Sequence, residues 1–228
     1  MRAVLLLAGS FIRQNRWLML AFVGWPFLMS AFERSPHHAV NLEDVNAILQ
    51  QEVFYGLAIA DFLASAAIYN EKRSRRIAGV LSKGVSRAQY LLGLIAGSAV
   101  FGGVYFVAIA ASVMWLLGSS SSELHRAAVL MICGIVASGW VAALAVLFSV
   151  VLHPILAAAI AGIIAFAPLA MTGTSIFLPL TVLVRGMTSL SARNFEWPSI
   201  LIALVETAIF LLVGSPLFQR SDVAVNLE

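Results

Sequence analysis

Long apolar runs without charge are the feature that most constrains the fold of this chain. The stretch from Ala127 to Leu152 contains no charged residue, and about 20 apolar residues are enough for a helix to cross the hydrocarbon core of a bilayer. Hydrophobic residues make up 61% of the 228-residue chain and charged residues 11%, whereas soluble domains are typically about half apolar and about a quarter charged. Because hydrocarbon must solvate part of this surface, we expect a membrane protein.

The length of the apolar runs decides between the two architectures that can cross a bilayer. Every backbone N–H and C=O in hydrocarbon needs an internal partner, which leaves helices or a closed barrel. Barrel strands are short and alternate between apolar and polar residues, whereas the apolar runs of this chain are long and uninterrupted. The sequence therefore predicts an all-α integral membrane protein that forms a single transmembrane domain over residues 1–228.

Six segments are predicted to cross the membrane. Pro26 is expected to kink the first, and His153 with Pro154 to end the fourth. The predicted spans cover about residues 17–32, 53–69, 90–117, 127–152, 155–177 and 199–214.

Three segments outside the spans have their own expected roles. Residues 1–16 combine arginines with apolar residues and predict a helix in the membrane interface, although the same stretch could instead begin the first span. Residues 33–51 are polar and are expected on the outer side. Residues 178–198 are too polar to span and too apolar for a plain loop, which favours a re-entrant or interfacial segment.

The distribution of basic residues predicts the orientation. With both termini cytoplasmic, the inner segments hold ten of the fourteen lysines and arginines, as the positive-inside rule requires. The net charge of +3 therefore reflects the orientation of the chain in the inner, cytoplasmic membrane. No nucleic-acid partner is needed to explain it, and none is expected. The ten inner residues are Arg2, Arg13, Arg16, Lys72, Arg73, Arg75, Arg76, Lys83, Arg87 and Arg220.

Small residues recur at four-residue spacing in the third to fifth predicted spans. Such pairs let helix backbones approach closely in lipid, so they predict a compact bundle. The pairs are Gly93 with Gly97, Ser98 with Gly102, Gly134 with Ser138, and Ala158 with Gly162.

No pattern in the sequence indicates an enzyme or a metal protein. The chain lacks the GxxxxGK[ST] phosphate loop, and its one cysteine, Cys133, is expected to pack in the core. Ser138 with Gly139 would need a facing histidine to act as an intramembrane serine protease, and no histidine lies in a predicted span. We therefore expect no catalytic residues, no metal site and no cofactor bound by this chain.

The segment 71–87 is the densest charge cluster and carries an apolar stripe. Ile77, Val80, Leu81 and Val85 recur at helical spacing, and Ser86 can cap the helix that follows. One interpretation is a short amphipathic helix that binds a protein partner. The other is a basic loop that fixes topology and rests on anionic headgroups, and the residues alone do not choose between the two.

This segment resembles the stretch after the second span of ABC transporter permeases of the type-2 exporter class. That family has a glutamate after span two, a basic glycine-containing turn, a short apolar helix, and a Val-Ser-Arg-like element before span three. The sequence departs from the family pattern at Ser74–Arg75, at Gly84 and at Leu94. The matching residues are Glu71, Arg73, Gly79, Leu81, Ser82, Val85, Ser86, Arg87, Tyr90, Leu91 and Gly93.

The resemblance implies a non-hydrolytic permease subunit that works with a separate ATPase. Residues from about 75 to 85 would form a cytoplasmic coupling helix between spans two and three. Two copies of the ATPase would bind ATP and Mg²⁺, and the permease would form a homodimer or pair with a similar chain. The implied ATPase contacts are Glu71, Arg73, Arg75, Arg76, Ile77, Leu81, Ser82, Val85 and Arg87, of which Ile77 and Leu81 would be the apolar anchors.

Two carboxylates are predicted to lie within spans. Asp61 and Glu206 need water, a partner or a proton there, because a charged aspartate at mid-helix costs about 2.5–3.5 kcal/mol on insertion scales. Each could line a transport path or a dimer seam, or could form a structural polar contact. The alternative function is therefore a self-contained proton-coupled secondary transporter or channel that uses Asp61 and Glu206.

Overall fold

The regular structure of this protein is α-helical. The computed structural model describes residues 2–33, 42–73, 80, 84–117, 121–170, 179–188 and 197–220, and no strand occurs among them. Within these residues the helices are α1 (Arg2–Gln14), α2 (Arg16–Glu33), α3 (Leu42–Arg73), α4 (Arg87–Leu117), α5 (Ser121–Ser149), α6 (Pro154–Ala170), α7 (Pro179–Thr188) and α8 (Pro198–Arg220).

Within the part of the chain that the structure describes, four helices are long and apolar enough to cross a membrane, as expected of an all-α membrane protein. The qualifying stretches lie in α3, α4, α5 and α8. Two further apolar helices are shorter, at Arg16–Phe32 in α2 and Pro154–Ala167 in α6. The four long stretches are Asp44–Glu71, Arg87–Leu117, Leu124–Ser149 and Pro198–Phe218.

Helix α3 begins well before the predicted second span. Residues 42–51, expected to belong to a polar outer segment, continue the same helix. The reason is an apolar stripe at helical spacing, since Val45 and Leu49 are buried in line with Val53 and Leu57. Asp44, Gln50 and Gln51 are exposed on the other faces of the helix.

The predicted break at His153 and Pro154 is confirmed. Helix α5 ends at Ser149 and α6 begins at Pro154. Proline suits the first position of a helix, because the N–H that it lacks would have no intrahelical partner there. The His153 ring lies edge-on to the ring of Tyr69 near the end of α3, with 5.4 Å between centroids. The turn between α5 and α6 is therefore packed against the last turns of α3.

Small residues set the close approach of α4 and α5, as the four-residue spacings predicted. A Cβ on Gly102 would lie 2.2 Å from the Ser138 Oγ, and one on Gly134 would lie 2.2 Å from the Phe106 ring. Both distances are shorter than any real Cβ contact, so only glycine fits. Cys133 is buried in the same core, which confirms the expected packing role.

Helix α1 docks on a second glycine surface of α4. Leu7 lies against Gly93, and Phe11 lies against Gly97 one turn further along both helices. The Asn15 amide Nδ2 donates to the Phe11 carbonyl oxygen at 2.9 Å and closes the end of α1. The first helix is thus separate from α2, and two of the glycines predicted to bring spans together instead accommodate this N-terminal helix.

Ring contacts bring five helix termini to one end of the bundle, which we call the connector end. The Tyr69–His153 contact joins the end of α3 to the α5–α6 turn. Tyr90, in the first turn of α4, stacks on Phe218 near the end of α8, with ring planes 7° apart. Helices α3, α4, α5, α6 and α8 therefore alternate in direction from one to the next.

Helix α7 is a short element within the region predicted to be re-entrant or interfacial. At ten residues it is too short to cross a bilayer. Leu180, Leu183 and Met187 are buried in the core, while Arg185 is exposed. This helix therefore covers part of the bundle with an apolar face.

Candidate functional site

The connector end contains the described part of the predicted coupling segment. Glu71 is half-buried in the last turn of α3, and Arg73 is exposed at its end. Val85 packs against the hydrophobic core. The predicted contacts Arg75, Arg76, Ile77, Leu81 and Ser82 lie outside the described residues.

The downstream edge of this segment is fixed by a reciprocal helix cap. The Gln89 backbone N–H donates to the Ser86 Oγ at 3.2 Å, and the Ser86 backbone N–H donates to the Gln89 Oε1 at 3.1 Å. This pattern is a capping box, which satisfies two donors that a helix start otherwise leaves unpaired. The prediction that Ser86 caps α4 is confirmed.

Gly84 sets the direction in which the chain enters that cap. Its φ of +77° lies in the left-handed region, where a side chain would be strained. Gly84 stands where the resembled family has proline, and the two residues impose different backbones. The connector therefore reaches α4 through a turn that needs glycine.

Arg87 binds the last helix of its own chain. Its Nη1 donates a 3.0 Å hydrogen bond to the Phe218 carbonyl oxygen, and its guanidinium lies 5.9 Å from the centre of the Phe218 ring. Carbonyls in the last turn of a helix lack intrahelical partners, and a cation there also interacts favourably with the helix dipole. The structure thus gives Arg87 an intramolecular contact that the sequence did not predict.

Asp61 lies in the contact between α3 and α6. Its side chain is 5% exposed, and the Ser65 Oγ donates to its Oδ1 at 3.5 Å. A Cβ on Gly162 would lie 3.2 Å from the Asp61 Oδ2, so the small residue on α6 makes room for the carboxylate. Of the residues that share this face of α3, Leu57, Ala64, Ser65 and Ile68 are buried, whereas Ala58 is exposed.

Glu206 lies between α8 and α5. Its Oε2 accepts a 2.7 Å hydrogen bond from the indole Nε1 of Trp140, a residue that is 2% exposed. The Trp140 ring also lies edge-on to Phe210, one turn after Glu206. Glu206 therefore supplies the acceptor that a buried indole N–H requires.

Within the described residues, no contact joins Asp61 to Glu206. Asp61 contacts α6 and a serine of its own helix, whereas Glu206 contacts α5. Each of the two carboxylates predicted to line a path or a dimer seam, or to form a structural polar contact, lies at a separate helix contact.

A third carboxylate, Glu52, was missed by the sequence analysis. It is 3% exposed and accepts a hydrogen bond from the Tyr105 hydroxyl of α4. The Trp25 side chain of α2 interacts with the same carboxylate. Glu52 thus joins three helices, although the sequence places it just outside the predicted second span.

A signal for Glu52 was present in the helical spacing. Val45, Leu49, Glu52 and Gly56 follow one another at steps of four, three and four residues, and all are buried. A glutamate on the apolar stripe of a helix must find partners inside the protein. The prediction of a polar segment over residues 33–51 did not take this helical spacing of buried residues into account.

Glu52 and Asp61 face opposite sides of α3. They are nine residues apart, and at 3.6 residues per turn that separation corresponds to two and a half turns. This agrees with their neighbours, which are Tyr105 and Trp25 for Glu52 and Gly162 for Asp61. The carboxylates of α3 therefore serve two different helix contacts.

No group of three or more histidine, cysteine, aspartate or glutamate residues that could hold a metal ion occurs in the parts of the chain that the structure describes. No protein-family model matches the chain, and no curated protein matches it. The resemblance to exporter permeases therefore rests on matching residues between positions 71 and 93 and on the predicted topology.

Proposed function

We propose that this chain is the membrane-spanning subunit of an ATP-driven exporter of the ABC type-2 class. The observation that carries the proposal is the attachment of the segment that follows α3. At its downstream edge the capping box and the Arg87–Phe218 hydrogen bond join it to both α4 and α8. Force applied to the segment would reach two long helices at once, as rigid-body gating requires.

In this proposal the chain crosses the membrane six times, with α2 and α6 as the two shorter spans. Segment 16–32 has 17 residues, or about 25 Å of helix, which is near the lower limit for a span. Alternating helix directions then place both termini on the connector side, and the clustered basic residues make that side cytoplasmic. Helix α1 supports an interfacial role by exposing Leu5 and Leu6 opposite its contact with α4.

The ATP chemistry would belong to a partner. Two copies of an ATPase subunit would bind ATP and Mg²⁺ and contact the segment 71–87 of each permease in a homodimer or a pair of similar chains. Exposed Arg73 suits such a contact. Arg87 would act instead from within the permease, by holding α4 to α8.

The experiment is a co-purification of the chain with its ATPase in mild detergent. Ile77→Asp combined with Leu81→Asp should abolish ATPase association, because carboxylates would replace the predicted apolar anchors. Leu124→Asp is the matched control, since Leu124 is 61% exposed at the opposite end of the bundle. ATPase retained by the double variant, or lost equally in the control, contradicts the proposal.

The alternative of a proton-coupled transporter would need its carboxylates on one route. Asp61 and Glu206 have separate neighbours, so no contact in the described residues places them on one route. Proton-driven flux by the purified chain alone in liposomes would favour the transporter. Loss of that flux on Asp61→Asn would then assign the carboxylate to the path.

A further inference from the structure

A pocket opens between α2 and α3 on the surface of the bundle. It is an open groove of about 410 Å³ that is lined by Phe22, Trp25, Tyr55, Ala58 and Ile59. Pockets that bind small molecules have volumes of about 300–1,000 Å³ and are mostly apolar and aromatic. Trp25 and Tyr55 are each about two-fifths exposed, so their rings are accessible from the surrounding membrane.

Glu52 does not line this pocket, but its carboxylate is linked to two of the lining residues. Trp25, which lines the pocket, interacts with Glu52, and the Tyr105 hydroxyl donates to Glu52. The Tyr105 ring is in turn edge-on to Phe22, another lining residue, with 5.9 Å between centroids. Two lining residues are thus linked to one buried acid.

Gly56 is the reason that Tyr105 reaches this acid. A Cβ at Gly56 would lie 2.7 Å from the Tyr105 ring, so the ring can lie flat against α3 only because this position has no side chain. Gly56 is one turn after Glu52 on the same face. The backbone therefore brings the tyrosine hydroxyl and the glutamate together.

Both side chains that contact the Glu52 carboxylate, Tyr105 and Trp25, are hydrogen-bond donors. Tyrosine donates here through O–H, and an indole has a donor and no acceptor. Hydrogen bonds from such donors favour the ionised form of an acid, whereas burial in an apolar surrounding opposes it, and a cation bound nearby would add to the effect of the donors. Aromatic faces attract cations through their quadrupoles. The pocket thus combines apolar volume, π faces and a nearby carboxyl group that a bound cation would hold in its ionised form.

We propose that the pocket between α2 and α3 binds lipophilic organic cations, with the aromatic rings contacting the cation and Glu52 supplying charge complementarity from behind. A lipid acyl chain would need only the apolar volume, and it would gain nothing from the acid. The proposal concerns binding by this chain alone and does not depend on coupling to an ATPase.

The test measures equilibrium binding of radiolabelled tetraphenylphosphonium to the full chain in phosphatidylcholine nanodiscs, without nucleotide. Saturable binding at one site per chain is expected. Glu52→Gln keeps an oxygen that accepts from Tyr105 and Trp25 but removes the charge, and should weaken binding at least about tenfold, which corresponds to about 1.4 kcal/mol. Glu206→Gln, a matched neutralisation elsewhere in the membrane, should leave binding unchanged.

Two further variants test the pocket itself. Ala58→Phe fills the volume without touching Glu52 and should abolish binding. Trp25→Ala removes a π face and should weaken binding roughly fivefold, whereas Trp17→Ala removes a tryptophan that is 71% exposed outside the pocket and should have no effect.

A neutral competitor distinguishes a cation site from a merely apolar one. Triphenylphosphine oxide has similar aryl groups without the positive charge, and it should compete much more weakly than unlabelled tetraphenylphosphonium. Equal competition would identify an apolar pocket of the kind that an acyl chain fills, and would overturn the proposal. Absence of saturable binding, or wild-type affinity in Glu52→Gln or Ala58→Phe, would also overturn it.

Discussion

The guanidinium of Arg87 donates a hydrogen bond to the carbonyl oxygen of Phe218, a residue 131 positions further along the chain. The first residue of α4 is thereby joined to the last turns of α8. Tyr90, one turn after Arg87, stacks on the ring of the same phenylalanine. The predicted coupling segment therefore ends at a junction between two long helices.

Replacing Arg87 by alanine should destabilise the protein by about 1–3 kcal/mol. The variant loses a charge-assisted hydrogen bond and leaves a carbonyl in a partly buried site without this donor. Unfolding in mixed micelles provides the measurement. Arg73→Ala is the control, because Arg73 is exposed at the end of α3, and equal stability of the two variants would argue against the junction.

The capping box at Ser86 and Gln89 predicts a local effect. Ser86→Ala should reduce stability by about 0.5–2 kcal/mol and increase amide hydrogen exchange in the first turn of α4. Because the two side chains act reciprocally, Gln89→Ala should produce part of the same loss, and the double variant should lose less than the sum. Strict additivity, or unchanged exchange in this turn, would rule out a cooperative cap.

The close contact between α4 and α5 predicts a steric effect at Gly102. Gly102→Ala would place a Cβ 2.2 Å from the Ser138 Oγ, so it should destabilise the protein by about 1–3 kcal/mol through overpacking. Adding Ser138→Gly should restore much of this loss by removing the side chain that clashes.

Gly139→Ala is the matched control for this contact, since its Cβ would meet Ala99 at an ordinary 3.6 Å. Thermal unfolding in detergent distinguishes the variants. If Gly102→Ala melts at the wild-type temperature, the two helices are further apart than described.

The Trp140–Glu206 hydrogen bond predicts which substitutions Glu206 tolerates. Glu206→Gln keeps an oxygen that accepts from the indole and should stay close to wild-type stability. Glu206→Leu leaves the buried indole N–H without this acceptor and should lose about 1–3 kcal/mol.

Trp140→Phe provides the second arm of a double-mutant cycle for this pair. Once the donor is absent, Glu206→Leu should have a smaller effect on unfolding in mixed micelles. An unchanged effect in the Trp140→Phe background would show that Glu206 acts through something other than this bond.

Sequence reasoning recovered the features that depend on local chemistry. The break at Pro154 and the cap at Ser86 were predicted because a missing N–H and a hydroxyl acceptor act on adjacent backbone. Helix α3 was predicted too short, because polar residues between Val45 and Glu52 concealed the apolar stripe.

The sequence by itself determined that the chain is helical and resides in a membrane. Uncharged apolar runs of this length are solvated by hydrocarbon, where the backbone N–H and C=O groups can pair only with each other, as they do in a helix. Only the tertiary structure decided which side chains meet. The Glu52–Tyr105 and Arg87–Phe218 pairs join residues 53 and 131 positions apart, and no local pattern specifies such a pairing. Helix packing decides it, since a glycine such as Gly56 allows a close approach only where a particular ring from another helix comes to lie.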